Sequence, residues 1–292
     1  MTHVALVGAG PGDPELLTLK AFRLIQEADI LLYDSLADAR IVRMASRTAT
    51  KIDVGKRCGK HSASQQQICE LLVEAAQTGA RVVRLKGGDP MIFGRATEEM
   101  AALDAAGIDY DIIPGITAAT AAAAALQKSL TKRSTARSLH FLTGHGAEGG
   151  LPAHDWVSLT KSGGTLVVYM GSKTLAGLAA HFIEAGMDPT TPAIAVENAS
   201  LPTQRNFPAT IATLPRILAA TTTTGPVLLL IGEAMREEKD VSASFFAKKE
   251  EKKSCLRRAL APPSPHPAIS KSFLLLFFKK EALAYLCWPV LE

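Results

Sequence analysis

A chain of 292 residues, 47% of them hydrophobic and 21% charged, is long enough for two domains with cores of their own and too apolar to stay unfolded. Its formal charge of +4 argues against a dedicated nucleic-acid binder; from Glu237 onward there are 10 Lys and Arg against 7 Asp and Glu, leaving 22 against 21 before it, so any anion site in the body must be local. Cys58, Cys69, Cys255 and Cys287 have neither metal-ligand nor redox-motif spacing, the seven histidines are scattered, and no signal peptide is readable, so free thiols in a reducing cytoplasm and no metal are expected.

The chain opens on a strand, His3–Gly8, and further apolar runs follow at Asp29–Tyr33, Thr50–Val54, Arg81–Leu85 and Tyr110–Pro114. Pro14–Ala28, Ser64–Thr78 and Phe93–Ala106 lie between them with amphipathic helix spacing. Short apolar strands alternating with helices indicate a parallel sheet covered on both faces. After Pro114-Gly115 an alanine-rich helix, Thr117–Gln127, starts a second cycle. Its strands are expected at Ser138–Thr143, Thr165–Met170, Ala193–Glu197, Phe207–Thr213 and Val227–Gly232. The reading is two α/β domains, 1–114 and 115–236, with a disordered tail over 237–292. In that tail a charge run, Lys248–Lys253, and a proline-rich stretch, Ala261–Pro267, precede Phe273–Phe278. This last apolar run is far short of the roughly 20 residues that cross a bilayer, so no membrane partner is expected.

Two glycine loops stand at strand-to-helix junctions. In the first, Gly8-Ala9-Gly10-Pro11-Gly12-Asp13-Pro14, a dinucleotide fingerprint would need a third glycine where Asp13 stands, and its carboxylate would oppose a pyrophosphate. Asp13 and Pro14 also suit an N-cap and first helical position, so a tight turn without a ligand is the plain alternative. A Walker loop is excluded, since no Gly-Lys-Ser/Thr follows. In the second, Arg84-Leu85-Lys86-Gly87-Gly88-Asp89-Pro90-Met91-Ile92-Phe93-Gly94-Arg95, adjacent glycines let backbone approach a ligand. Asp89 could accept from a ribose or amino group. Such loops suit a cationic, phosphate-free nucleoside better than a dinucleotide.

These blocks, with Tyr33-Asp34, Gly55-Lys56-Arg57, Glu98-Glu99 and Pro114-Gly115-Ile116-Thr117-Ala118, resemble the uroporphyrinogen-III C-methyltransferases of the tetrapyrrole methylase family, from about His3 to Gly232. The resemblance implies two α/β domains with a cofactor and substrate cleft between them. It implies transfer of two methyl groups from S-adenosylmethionine to uroporphyrinogen III, giving precorrin-2 for sirohaem or cobalamin synthesis. It assigns Asp34 as proton acceptor and Lys56 as proton donor. Cofactor contacts fall on Pro11, Gly87, Gly88, Asp89, Ile92, Thr117, Ala118, Met170 and Ala199, and substrate contacts on Arg95, Glu98 and Arg133. A cytoplasmic homodimer is implied as well. Because the chain begins on its first strand, methylation is expected without the dehydrogenase–chelatase module that some sirohaem enzymes carry ahead of this region.

Without the resemblance these residues read more plainly. Asp34 would form a turn, Lys56 would be a solvated charge, Met170 would face the core, Thr117 would cap a helix, and the arginines would make surface ion pairs. Ala96 and Thr97 replace two usual glycines of the family, Lys132 a usual histidine, and Ala199 a common glycine. The competing readings are a methyltransferase acting on a later precorrin, a nucleotide-binding oxidoreductase, and a non-catalytic binding protein with the same fold.

Overall fold

Short buried strands build two five-stranded sheets in a computed structural model that describes residues 3–55, 64–146 and 149–237, all within one compact unit spanning 1–237. The expected tail beyond Glu237 lies outside the described residues, as do Lys56, Cys58, Cys255 and Cys287. In the first sheet, β1 (His3–Gly8), β2 (Ile30–Tyr33), β3 (Thr50–Asp53), β4 (Val82–Lys86) and β5 (Asp109–Ile113) run parallel in the order β3-β2-β4-β1-β5. Alternate side chains go to opposite faces. Ala5, Val7, Leu31, Val83 and Leu85 pack with α1 (Leu19–Glu27) and α2 (Ala39–Val42). Val4, Leu6, Leu32 and Val82 pack with α3 (Gln65–Gln77) and with Leu103 of α4 (Ala96–Ala105).

That division of helices sets where a ligand can bind. The chain leaves β1 toward β2 over one face and leaves β4 toward β5 over the other. The β1 and β4 loops therefore leave neighbouring strand ends for helices on opposite faces, and parallel sheets place their ligand crevices outside such carboxyl ends.

After α5 (Ala118–Ala125) come β6 (Leu139–Thr143), α6 (Trp156–Lys161), β7 (Thr165–Tyr169), α7 (Leu175–Glu184), β8 (Pro192–Glu197), β9 (Arg205–Thr210), α8 (Leu214–Ala219) and β10 (Val227–Ile231). The second sheet has the order β6-β7-β10-β8-β9 and is mixed, with β6–β7 parallel and the other pairings antiparallel. Runs buried on both faces carry no mark of strand direction, so this was not visible in the sequence. Leu178, Phe182, Leu214 and Leu218 cover one face. Ala119, Ala122 and Ala123 of α5 lie on the other, against Val167, Ile194 and Leu228.

Three element boundaries move for local reasons. The expected helix Pro14–Ala28 breaks into a 3-10 turn, Pro14–Leu16, capped by Asp13 through Glu15 N at 3.0 Å, and α1, capped by Thr18. The helix expected from Phe93 starts only at Ala96, because Phe93 and Arg95 take positive φ of 50° and 56°. β9 starts and ends earlier than expected, and its Pro208 is tolerated because the strand is an edge. The α3 boundary holds where a reciprocal cap fixes it: Ser64 Oγ accepts from Gln67 N and Gln67 Oε1 accepts from Ser64 N.

Glu197, wholly buried at the end of β8, ties the second sheet together. Arg205 Nε donates to it at 2.6 Å, and Thr224 N and Gly225 N donate at 2.6 and 2.9 Å. Burial pushes its pKa up, but the Gly225 and Thr224 amides and the Arg205 guanidinium outweigh burial and hold it below the usual carboxylate range. A lowered folded-state pKa stabilises above the unfolded value, about 4.3, and that stability is lost as pH falls through the folded value. Glu197→Gln should therefore lower the melting temperature at pH 7, and its deficit should shrink as the pH falls from about 5 to about 3. Thermal melts of both proteins across that range check this; a deficit constant with pH would assign the loss to shape rather than charge.

Candidate functional site

The carboxyl ends of β1, β4 and β5 are knitted together through backbone. Gly10 and Gly88 exchange hydrogen bonds, Gly10 N donating to Gly88 O at 3.1 Å and Gly88 N to Gly10 O at 2.7 Å. Asp89 then spans two loops, accepting from Met91 N at 2.8 Å and from Gly115 N at 3.0 Å. Only glycine permits this closeness: a Cβ on Gly8 would lie 2.6 Å from Gly115 Cα, and one on Gly115 would overlap Gly88 O. Gly88 differs, since its φ is +69° and a Cβ there would meet nothing within 4 Å. Its open side is a place where backbone can meet a ligand without obstruction.

The second sheet brings its own loops to this edge. Thr117 occupies the N-cap position of α5 but makes no side-chain cap; its hydroxyl instead pairs with Tyr169 Oη, which also accepts from Ala119 N at 3.3 Å. Burial raises the Tyr169 pKa, offset in part by the Thr117 hydroxyl and the Ala119 amide. The Tyr169 ring lies 5.1 Å from Phe93 and 5.8 Å from Phe141, joining the β4 loop to the end of β7. Met170, next along, has φ of 56° and is 50% exposed, so it does not face the core. Ala199 is buried between Asn198 and Ser200, which both have positive φ, and Ser200 Oγ accepts from Asp13 N at 3.2 Å. Ala199 itself needs no left-handed backbone, which is why alanine can stand there.

The structure thus gathers the loops carrying Pro11, Gly87, Gly88, Asp89, Ile92, Thr117, Ala118, Met170 and Ala199 along one edge. A cavity of about 540 Å³ lies alongside, but its lining, which includes Asp13, Ile116, Thr120, Ser200, Leu201 and Gln204, is made of their chain neighbours rather than of those residues.

Asp34 follows β2, and its turn is pressed against β4, where a Cβ on Gly87 would lie 2.6 Å from Leu36 Cβ. Asp34 Oδ1 accepts from Leu36 N at 3.0 Å, so it does form a turn, while Oδ2 lies 3.7 Å from the Arg84 guanidinium. Behind it sits a buried charge cluster that the sequence reading quoted but gave no role. Glu99, wholly buried, accepts from Arg84 Nε at 3.0 Å and from Lys86 Nζ at 2.8 Å. Burial, then the neighbouring Arg84, push the Lys86 pKa down, and Glu99 pushes it back up. The signal was present: two cations at alternate positions of a fully buried strand demand a buried anion.

The substrate candidates are exposed. Arg95 Nε donates to Glu98 Oε1 at 2.8 Å, an i,i+3 pair on the surface. Burial raises the Glu98 pKa, and Arg95 with the backbone outweighs it, leaving Glu98 lowered. Arg133 is exposed on the turn closed by the Lys132–Ala136 bridge, and the contacts that join the crevice loops do not include it. Among the described residues no cluster of His, Cys, Asp and Glu could hold a metal, and no helix is long and apolar enough to cross a membrane.

A parallel sheet whose β1 and β4 loops leave adjacent strand ends, closed over by glycine-rich backbone and flanked by a second sheet, defines an α/β protein with a small-molecule crevice. Its family is equally definite: residues 3–215 match the model of the Tetrapyrrole (Corrin/Porphyrin) Methylases, and the chain belongs to that family. It is 51% identical over 203 residues to the S-adenosyl-L-methionine-dependent uroporphyrinogen III methyltransferase, chloroplastic, of Arabidopsis thaliana, covering 69% of this chain and 55% of that one. It is 46% identical over 212 residues to the siroheme synthase of Psychrobacter sp. (strain PRwf-1), covering 73% of this chain and 43% of that one. The chain spans about half the length of the curated relatives it matches. Among solved structures, the uroporphyrin-III C-methyl transferase of Thermus thermophilus complexed with S-adenyl homocysteine superposes with TM-score 0.70 at 38% identity, over 80% of this chain and 99% of that one.

The close glycine packing gives a stability test. Gly115→Ala should lower the melting temperature by several degrees or more, because backbone must move to admit the methyl group. Gly177→Ala, in α7 with its nearest neighbour 3.8 Å away, should be neutral or stabilising by up to about 1 kcal/mol. Equal effects in calorimetric melts would mean that the crevice loops are not tightly joined.

Proposed function

We propose that the protein transfers two methyl groups from S-adenosylmethionine to ring carbons of uroporphyrinogen III, giving precorrin-2 for sirohaem or cobalamin synthesis. The observation that carries this reading is positional. Among the described residues, the segments 9–14, 87–95 and 114–117 and Asp34, which belong to the blocks that resemble the methyltransferases, all follow the carboxyl ends of strands of one sheet. The sulfonium supplies an electrophilic methyl with a good leaving group and brings no phosphate. Carboxylates and backbone groups are therefore suitable partners, and this edge offers Asp89 and the open side of Gly88.

In this reading Pro11, Gly87, Gly88, Asp89, Ile92, Thr117, Ala118, Met170 and Ala199 hold the methyl donor. Asp34 accepts a proton from the ring system as its carbon is alkylated, and Lys56, outside the described residues, returns one. Arg95 and Arg133 bind substrate carboxylates, with Glu98 fixing Arg95 between turnovers; guanidinium suits such bidentate contacts. The halves divide near residue 115, and the working form is a cytoplasmic homodimer.

Mass spectrometry of the product formed from uroporphyrinogen III and S-adenosylmethionine tests the reaction. Two added methyl groups are expected; methylation of a later precorrin alone would replace this reading with its nearest rival. Calorimetry should detect S-adenosylhomocysteine binding that Gly88→Val abolishes, since a branched side chain there would be strained and would fill the open side. Undiminished affinity in that variant would move the donor site elsewhere.

Asp34→Asn keeps the shape of the turn and removes the base. A loss of about 10²- to 10⁴-fold in single-turnover methyl transfer is expected, with cofactor affinity retained. Wild-type rates for both methyl groups would leave Asp34 as a turn residue only.

A further inference from the structure

We propose that Arg84 is a positioning residue for Asp34, anchored by Glu99, and that this buried pair rather than the turn alone sets the carboxylate for proton transfer. The inference rests on the reading of Asp34 as proton acceptor. Arg84 is only 3% exposed and rises from the last turn-ward half of β4, so its guanidinium has no freedom to leave the sheet face. Nε is taken by Glu99 Oε1 at 3.0 Å and one terminal nitrogen by Leu85 O at 2.9 Å. The other terminal nitrogen is left turned toward Asp34 Oδ2 at 3.7 Å.

Glu99 balances only one of the two positive charges that Arg84 and Lys86 bring into the core. The guanidinium also extends to the exit of β2, where a quarter of the Asp34 side chain is open to solvent. Leu36 N holds Oδ1 at 3.0 Å, and the guanidinium faces Oδ2 at an ion-pair distance of 3.7 Å. Lysine at position 84 would keep the charge but lose the planar fork that serves Glu99, Leu85 and Asp34 together. In the proposed step the ring carbon bonds the methyl group as the methyl–sulfur bond breaks, the sulfur keeping that pair; the cationic ring system then gives up a proton from an N–H or bridging C–H bond, whose electron pair stays with the ring, and the proton joins an Asp34 oxygen. Arg84 takes no part in bond making; it fixes where that oxygen stands.

A double-mutant cycle separates this role from a structural one. Single-turnover transfer at saturating S-adenosylmethionine and uroporphyrinogen III is measured for wild type, Arg84→Lys, Asp34→Asn and the double variant. Arg84→Lys should slow transfer about tenfold in the wild-type background and less than about twofold in the Asp34→Asn background, as coupled neighbours do. KM and S-adenosylhomocysteine affinity should stay within about twofold of wild type. Glu99→Gln, which keeps both cations but loosens the anchor, should give the same pattern, so the cycle can be read if either variant folds. Equal losses in both backgrounds, or none in wild type, overturn the inference while leaving the methyltransferase reading intact. A wild-type chain that methylates nothing overturns that reading itself.

Discussion

A carboxylate with no access to water, Glu99, governs how the carboxyl edge of the first sheet is built. Residues Val82, Arg84 and Lys86 alternate on the face of β4 that packs with α3 and α4, and only the first of them is apolar. Bringing two cations into that layer without an anion would cost several kcal/mol each. Glu99 answers both from the first turns of α4, so that helix cannot slide along the sheet without breaking a buried pair, a loss of about 3–5 kcal/mol. The position of α4 in turn fixes the end of the loop that runs from Gly87 to Arg95, and that loop carries four of the nine candidate donor contacts. The buried charge thus anchors one end of a segment that the Gly10–Gly88 and Asp89–Gly115 hydrogen bonds and the Phe93–Tyr169 ring contact hold elsewhere.

The same loop pays for its shape in backbone strain. Phe93, Arg95, Met170, Asn198 and Ser200 all have positive φ, and all lie on loops that meet at this edge. Non-glycine residues in that region cost about 1–3 kcal/mol each and persist only where surroundings over-determine them. Here the surroundings are identifiable. The Tyr169 ring packs on Phe93, the Tyr169 and Thr117 hydroxyls are paired, and Ser200 holds the Asp13 amide. Five of the six non-glycine residues with positive φ among the described residues lie on these loops, the sixth being Gln127 after α5.

How much of this was readable depends on what each feature leaves in the chain. The central strands β1, β4, β7, β8 and β10 were legible as short runs of buried apolar residues, and the stretch Ser64–Thr78 was legible from its amphipathic spacing, its two ends being the caps of α3. The short helices α2 and α6 left too few residues for a periodic signal, and the mixed direction of the second sheet left none. The glycine loops were recognised as sites of backbone approach, yet their mutual contact was not, since it is a property of three strand ends meeting in space. Arg84, Lys86 and Glu99 stand in motif blocks whose glycines and aspartate draw the functional reading. Their alternation on a strand with no exposed residue was the available clue, and it becomes persuasive only once burial is known. Met170 shows the reverse case, where composition suggested a core side chain and a left-handed turn placed it outside.

The contrast between buried and exposed arginines bears on how a near-neutral body could handle a polycarboxylate. Arg84 and Lys86 cannot serve, because Glu99 and the sheet hold them and their release would expose uncompensated charge. Arg95 is differently placed. Its pair with Glu98 is solvent-exposed on both sides, and exposed ion pairs contribute only about 0–1 kcal/mol. A substrate carboxylate can displace Glu98 at small cost and gain a charge-assisted contact at a site that substrate itself shields from water. Under the proposed function, Glu98 would hold the Arg95 guanidinium until substrate replaces it. On this argument the protein divides its cations by function: the buried ones build the edge, and the weakly paired ones are left free to exchange partners.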